Sequence, residues 1–165
     1  MGAGKSTVGR KLAKKLGLQF FDSDQEIENR TGASINLIFE IEGEDGFRKR
    51  EAGVIDELTN YPDVVLATGG GAVLDPVNRS CLVERGLVVY LRTDIKQLVK
   101  RISRDTKRPL LNTDNPVKKM EELLAERAPI YEDMADLVVD TDRLSVPKIV
   151  DKISIFRTKK CESLQ

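Results

Sequence analysis

Gly2-Ala3-Gly4-Lys5-Ser6-Thr7 is the stretch from which the rest of the chain is read. It matches the second half of a phosphate-binding loop, G-x-x-x-x-G-K-[ST], with Gly4, Lys5 and Ser6 at the last three positions. Glycines let the backbone curl so that several N–H groups face phosphate oxygens, and the helix that follows adds the positive end of its dipole. In such a loop Lys5 reaches the β- and γ-phosphates and the Ser6 hydroxyl ligates Mg²⁺. The pattern's first glycine would stand five residues before Gly4, ahead of Met1.

Outward from this loop, helical and strand patterns alternate. Val8, Leu12 and Leu16 predict a helix over 5–16, stopped by Gly17. Gln19-Phe20-Phe21-Asp22 reads as a strand that runs into Asp22-Ser23-Asp24, carboxylates on the ligand edge of a parallel sheet. A short helix over 25–30 follows, then another capped by Ser34, then a longer one over 44–60. Arg48 and Arg50 lie near the start of that third helix, the end where the dipole disfavours positive charge. They are explained either by pairing with Glu44 or Glu51 or by an anion ligand. Val64 to Thr68 is an apolar run typical of an interior parallel strand, and it leads straight into Gly69-Gly70-Gly71, whose backbone N–H groups no side chain covers. Asp75-Pro76 starts the next helix, 87–91 is a third strand, and Asp94 caps a helix over 95–102. Between Arg101 and Pro116 basic residues crowd together, which predicts a mobile lid over a phosphate site, although such a run alone also suits a solvated surface. A helix over 117–128 is expected to break at Pro129. Residues 137–140 form the fourth strand, a last helix starts at Ser145, and a frayed tail begins near Thr158.

Strands alternating with helices specify an α/β fold with a parallel sheet, in one domain spanning 1–165. Lys plus Arg and Asp plus Glu both number 27, so net charge is zero and no basic bias marks a nucleic-acid binder. No apolar run approaches membrane-spanning length. Cys81 and Cys161 lack C-x-x-C spacing and read as free thiols in a reducing cytoplasm. The chain has no histidine, so acid–base chemistry rests on Asp, Glu, Lys, Tyr or Cys. Carboxylates and arginines gathered at strand ends beside a phosphate loop point to phosphoryl transfer onto a small anionic alcohol. Arginines would grip its carboxylate and an aspartate would take the hydroxyl proton.

The set G-A-G-K-S-T at 2–7, F-D-S-D at 21–24, E-G-E-D-G-F-R at 42–48, A-T-G-G-G at 67–71, K-R-P-L-L at 107–111 and E-R-A-P-I-Y at 126–131 resembles the shikimate kinases over residues 2 to about 156. The resemblance implies a P-loop three-layer sandwich and ATP plus shikimate as substrates, on the path to aromatic amino acids. It also implies Mg²⁺ as cofactor, a monomer, and a cytoplasmic enzyme. Position by position it implies ATP binding by Gly2, Ala3, Gly4, Lys5, Ser6 and Thr7, with Arg101 stacked on adenine, Arg108 on the phosphates and Leu144 in the adenine loop. Ser6 and Asp22 would hold Mg²⁺. Shikimate would meet Asp24, Arg48, Gly69, Gly70, Gly71 and Arg127, and catalysis would rest on Asp24, Lys5 and Arg108.

Two other readings stand beside this one. Another small-metabolite kinase of the same fold, such as a gluconate kinase, shares the loop. A truncated, non-catalytic nucleotide binder fits the missing half-loop. In the family a central strand precedes the phosphate loop, and these 165 residues contain no counterpart. Its loss is expected to leave two unpaired strand edges and a large apolar gap, to weaken ATP binding and to destabilise the chain. A natural start about ten residues upstream, one strand and a turn, is the corresponding expectation.

Overall fold

A computed structural model describes residues 2–102 and 115–163. The expectations for Arg108 and for the 103–114 part of the lid therefore lie outside the described residues, as does the side chain of Arg101. The first helix, α1 (Lys5–Leu16), begins after Gly4, whose φ of 85° is a left-handed conformation that a β-carbon would strain. It buries Val8, Gly9, Leu12 and Ala13. A β-carbon on Gly9 would stand 2.6 Å from the Phe20 ring, so helix and strand touch closely here.

The chain continues through β1 (Gln19–Asp22), α2 (Ser23–Thr31), α3 (Ile35–Thr59) and β2 (Val64–Ala67). Asp22 ends β1 and caps α2, so Ser23 and Asp24 occupy the first turn of a helix expected to start at 25. Helix α3 combines the two helices read from the sequence. They meet at Gly43, whose φ of 71° and ψ of −176° break the helical path. After a 3₁₀ turn (Ala72–Leu74) come α4 (Pro76–Arg85), β3 (Val89–Arg92), α5 (Ile95–Ile102), α6 (Pro116–Met134), β4 (Leu137–Asp140) and α7 (Val146–Glu162).

Two expectations are corrected. Pro129 does not end its helix, because α6 runs on to Met134. The proline removes one backbone donor, but Tyr131 and Met134 beyond it are anchored. The Tyr131 hydroxyl donates to the Gly70 carbonyl, and Met134 is buried. The tail is likewise helical to Glu162, since Ile149, Val150 and Ile153 fix the helix against the core and Lys160 pairs with Asp136.

The four strands among the described residues form two parallel pairs. Gln19 to Asp22 run beside Val64 to Ala67, and Val89 to Arg92 run beside Leu137 to Asp140. Between β2 and β3 lies a cavity of about 500 Å³ lined by both strands. Leu12 of α1, Ile153 of α7, Leu58, Leu82 and Met134 also line it. The layers hold through helices. One buried cluster joins Val8 and Leu12 of α1 to Leu91, Val139 and the α7 face. A second joins Ile27, Ile38, Phe47, Val54 and Leu58. Each such buried apolar side chain contributes roughly 1.5–3 kcal/mol.

Candidate active site

The carboxyl ends of β1 and β2 collect the polar residues of interest. Ser6, in the first turn of α1, donates its hydroxyl to Asp22 Oδ2 at 2.5 Å. The other Asp22 oxygen accepts from the Asp24 and Gln25 N–H groups at 3.2 and 3.5 Å, which fixes the carboxylate at the start of α2. Two hard oxygen donors thus lie side by side where the phosphate loop ends, a donor set suited to Mg²⁺. Among the described residues no group of three or more His, Cys, Asp or Glu side chains forms a metal cage. That suits an ion which keeps several waters and takes other ligands from phosphates.

Ser23 is fully buried, and its hydroxyl accepts from the Gly69 N–H at 3.0 Å. This bond ties the start of α2 to the glycine triplet. Around the triplet, side chains approach where only glycine leaves room. A β-carbon on Gly69 would stand 2.6 Å from Glu51 Oε1 and 2.9 Å from Asp24 Oδ1. One on Gly71 would overlap the Arg48 guanidinium, with Cζ 2.6 Å away. Asp24, Arg48 and Glu51 therefore converge on Gly69–Gly71.

Arg48 donates through Nη1 to Glu51 Oε2 at 2.6 Å and through Nη2 to Glu44 Oε1 at 2.8 Å. Burial opposes its charge, but both glutamates outweigh that and carry its pKa above the ordinary value. Arg50 instead pairs with Glu42 on the surface. Glu51 is fully buried, and its Oε1 has no hydrogen-bond partner. Burial raises its pKa above the usual carboxylate value; Arg48 opposes that shift and Asp24 adds to it. On α6, Arg127 is buried with its Nε unpartnered, and Tyr131 holds the Gly70 carbonyl while its ring lies 5.0 Å from that of Tyr90.

The profile of the family described as shikimate kinase matches residues 1–156. The chain belongs to the shikimate kinase family. A shikimate kinase of Thioalkalivibrio sulfidiphilus is 56% identical over 156 residues, covering 94% of this chain and 82% of that one. One from Legionella pneumophila is 54% identical over 153 residues, 93% of this chain and 87% of that one. Among solved structures, shikimate kinase from Acinetobacter baumannii in complex with shikimate superposes with a TM-score of 0.94 at 48% identity, covering 97% of this chain and 89% of that one. Shikimate kinase from Aquifex aeolicus gives 0.85 at 32% identity, covering 98% and 94%.

Of the positions that the shikimate kinase resemblance singles out, the fold brings Ser6 to Asp22, and Asp24 and Arg48 to the glycine triplet. Arg127 lies within electrostatic reach of Glu51. Lys5 borders the cavity together with Gly69 and Gly70. Leu144 is half-buried against the cluster around Val8 and Val150, so its side chain serves the core. Thr7 is exposed, on the first turn of α1. Three contributors went unassigned in the sequence. Ser23 is a small polar residue at a strand-to-helix junction. Tyr131 lies inside the quoted E-R-A-P-I-Y run, one helical turn after Arg127. Glu51 appeared only as one alternative partner of Arg48, although its i,i+3 spacing was a usable signal.

Proposed function

We propose that this chain transfers the γ-phosphoryl group of ATP to the 3-hydroxyl of shikimate, giving ADP and shikimate 3-phosphate. The observation that carries the reading is the convergence of Asp24, Arg48 and Glu51 on Gly69–Gly71, beside the phosphate loop. Arg48 and Arg127 bind the shikimate carboxylate, with the Gly70 N–H as a further donor. Asp24 orients the 3-hydroxyl for in-line attack and accepts its proton. The backbone of Gly2 to Thr7 cradles the nucleotide phosphates, and Lys5 offsets charge on the transferring group. By family resemblance Arg108 shares that task, Arg101 stacks on adenine, and Gly69 and Gly71 line the acceptor pocket. Ser6 and Asp22 are the residues that would hold Mg²⁺, Asp22 through water, and the ion would neutralise phosphate charge.

Coupled ADP release with ATP and Mg²⁺ tests the reading. Shikimate should drive turnover, and mass spectrometry should find shikimate 3-phosphate. Turnover on gluconate alone would replace the acceptor. The cavity beside Lys5 favours a second reading, nucleotide binding without transfer. ATP binding by calorimetry with no phosphorylated product from shikimate would select it. No described helix is long and apolar enough to cross a membrane.

A further inference from the structure

Two carboxylates hold Arg48, and they hold it differently. Glu51 is fully buried and accepts from Nη1 at 2.6 Å. The Glu44 side chain is 47% exposed and spreads a single oxygen, Oε1, over two donors, Nη2 at 2.8 Å and Nε at 3.2 Å. A guanidinium offers a carboxylate two edges with paired N–H groups, Nε with Nη2 and Nη1 with Nη2. Both edges include Nη2, the nitrogen on which Glu44 sits. An incoming carboxylate therefore meets Glu44 whichever edge it approaches. It also has the better grip, one oxygen for each N–H where Glu44 shares one oxygen between two. Glu44 is well placed to give way. It reaches Arg48 from one helical turn away, just after the break at Gly43, and its carboxylate passes into water by side-chain rotation alone. Glu51 has no such exit.

We propose that Glu44 is a built-in competitor of the acceptor's carboxylate, holding Nε and Nη2 of Arg48 until a carboxylate with one oxygen for each N–H displaces it. The inference rests on the reading of Arg48 as the anchor of the shikimate carboxylate. The two glutamates then divide the work. Glu51 is the permanent partner that aims the guanidinium, and Glu44 is the exchangeable one. The exchange sets a threshold for entry. A ligand without a carboxylate does not dislodge Glu44 from Arg48, and every anion that does so gives up part of its affinity to the contact it breaks. Glu44 touches neither reacting group, so it acts on the acceptor through Arg48 alone.

Calorimetric titration of the intact chain with shikimate, without nucleotide, tests this in the parent and in Glu44→Gln. The substitution should tighten shikimate binding by about twofold to fivefold, the weight of one exposed ion pair. A lost structural contact would weaken it. The methyl ester of shikimate brings no carboxylate and should bind both proteins equally. In turnover the shikimate KM should fall by the same factor with kcat unchanged. Glu44→Ala should repeat the effect, and thermal melts check that each variant folds. Glu42→Gln, which loses the surface pair with Arg50, is the control and should leave shikimate binding as it is. Shikimate binding that is unchanged or weaker in both Glu44 variants would overturn the proposal alone, as would equal tightening of the methyl ester. A parent chain that binds no shikimate would overturn the acceptor reading and the proposal with it.

Discussion

Arg48 is held by a carboxylate that water does not reach: its Nη1 lies 2.6 Å from Oε2 of the fully buried Glu51. The pair fixes the direction of the guanidinium over Gly71. Glu51→Ala leaves Arg48 a partly buried charge with one partner removed and should cost about 3–5 kcal/mol of stability. Glu51→Gln keeps the shape and loses the charge. Its KM for shikimate should rise by about tenfold, the equivalent of one charge-assisted hydrogen bond, with kcat less affected. Steady-state kinetics with paired thermal melts separate the two effects, and an unchanged KM would remove Glu51 from the positioning of Arg48.

Gly71→Ala and Gly53→Ala should differ in sign. The first places a methyl group in the Arg48 guanidinium and should raise the shikimate KM by about tenfold or more. The second sits in helical α3 with nothing within 4 Å of its new β-carbon. It should stabilise the chain by about 0.5–1 kcal/mol without changing kinetics. Denaturant midpoints and KM values of the two variants check the contrast.

Asp22→Asn retains a capping oxygen for α2 but drops the charge beside Ser6. The Mg²⁺ concentration for half-maximal ADP release should rise by about tenfold to a hundredfold. The melting temperature should move little. A Mg²⁺ titration at saturating ATP decides it, and an unshifted midpoint would place the ion elsewhere.

Acid should unlock the start of β3. Asp136 accepts from the Val88 N–H at 2.8 Å and pairs with Lys160. Burial pushes its carboxyl upward, but those two partners outweigh it and hold the pKa below the ordinary value. A lowered folded-state pKa gives stability that is fully present above the unfolded value, about 3.9, and lost as pH falls through the folded one. Glu51 works with opposite sign. Its raised pKa gives a contribution complete below the unfolded value and lost as pH rises through the folded one. Melting temperatures across pH should fall less steeply on the acid side in Asp136→Asn, and a parallel curve would refute the assignment.

Tyr131→Phe removes the hydroxyl that holds the Gly70 carbonyl and should cost about 1 kcal/mol, with a several-fold rise in the shikimate KM. Equal KM values for the two proteins would leave Tyr131 a purely structural role.

Local chemistry was legible wherever it decided the outcome. The helix over 5–16 and the strands at 19–22 and 137–140 appear with the expected bounds, because glycine stops and apolar runs act within a few residues. Pro129 was not legible. The breaking tendency of proline is local, whereas the anchors that overrule it, Gly70 and Tyr90, are distant in the chain. In the site, the residue types at Asp24, Arg48 and Gly71 announced themselves. Their mutual approach did not, since it depends on α3 bending at Gly43 and returning over the end of β2. Ser23 remained hidden for the same reason, as its partner is 46 positions away.

The divided sheet has a consequence for cooperativity. With no hydrogen bonds between β2 and β3, the β1–β2 and β3–β4 halves are coupled through side-chain packing of α1 and α7 and not through a continuous ladder. The packing of α1 and α7 is thus what ties the two strand pairs together, and substitutions that loosen it should lower amide-exchange protection in both pairs at once.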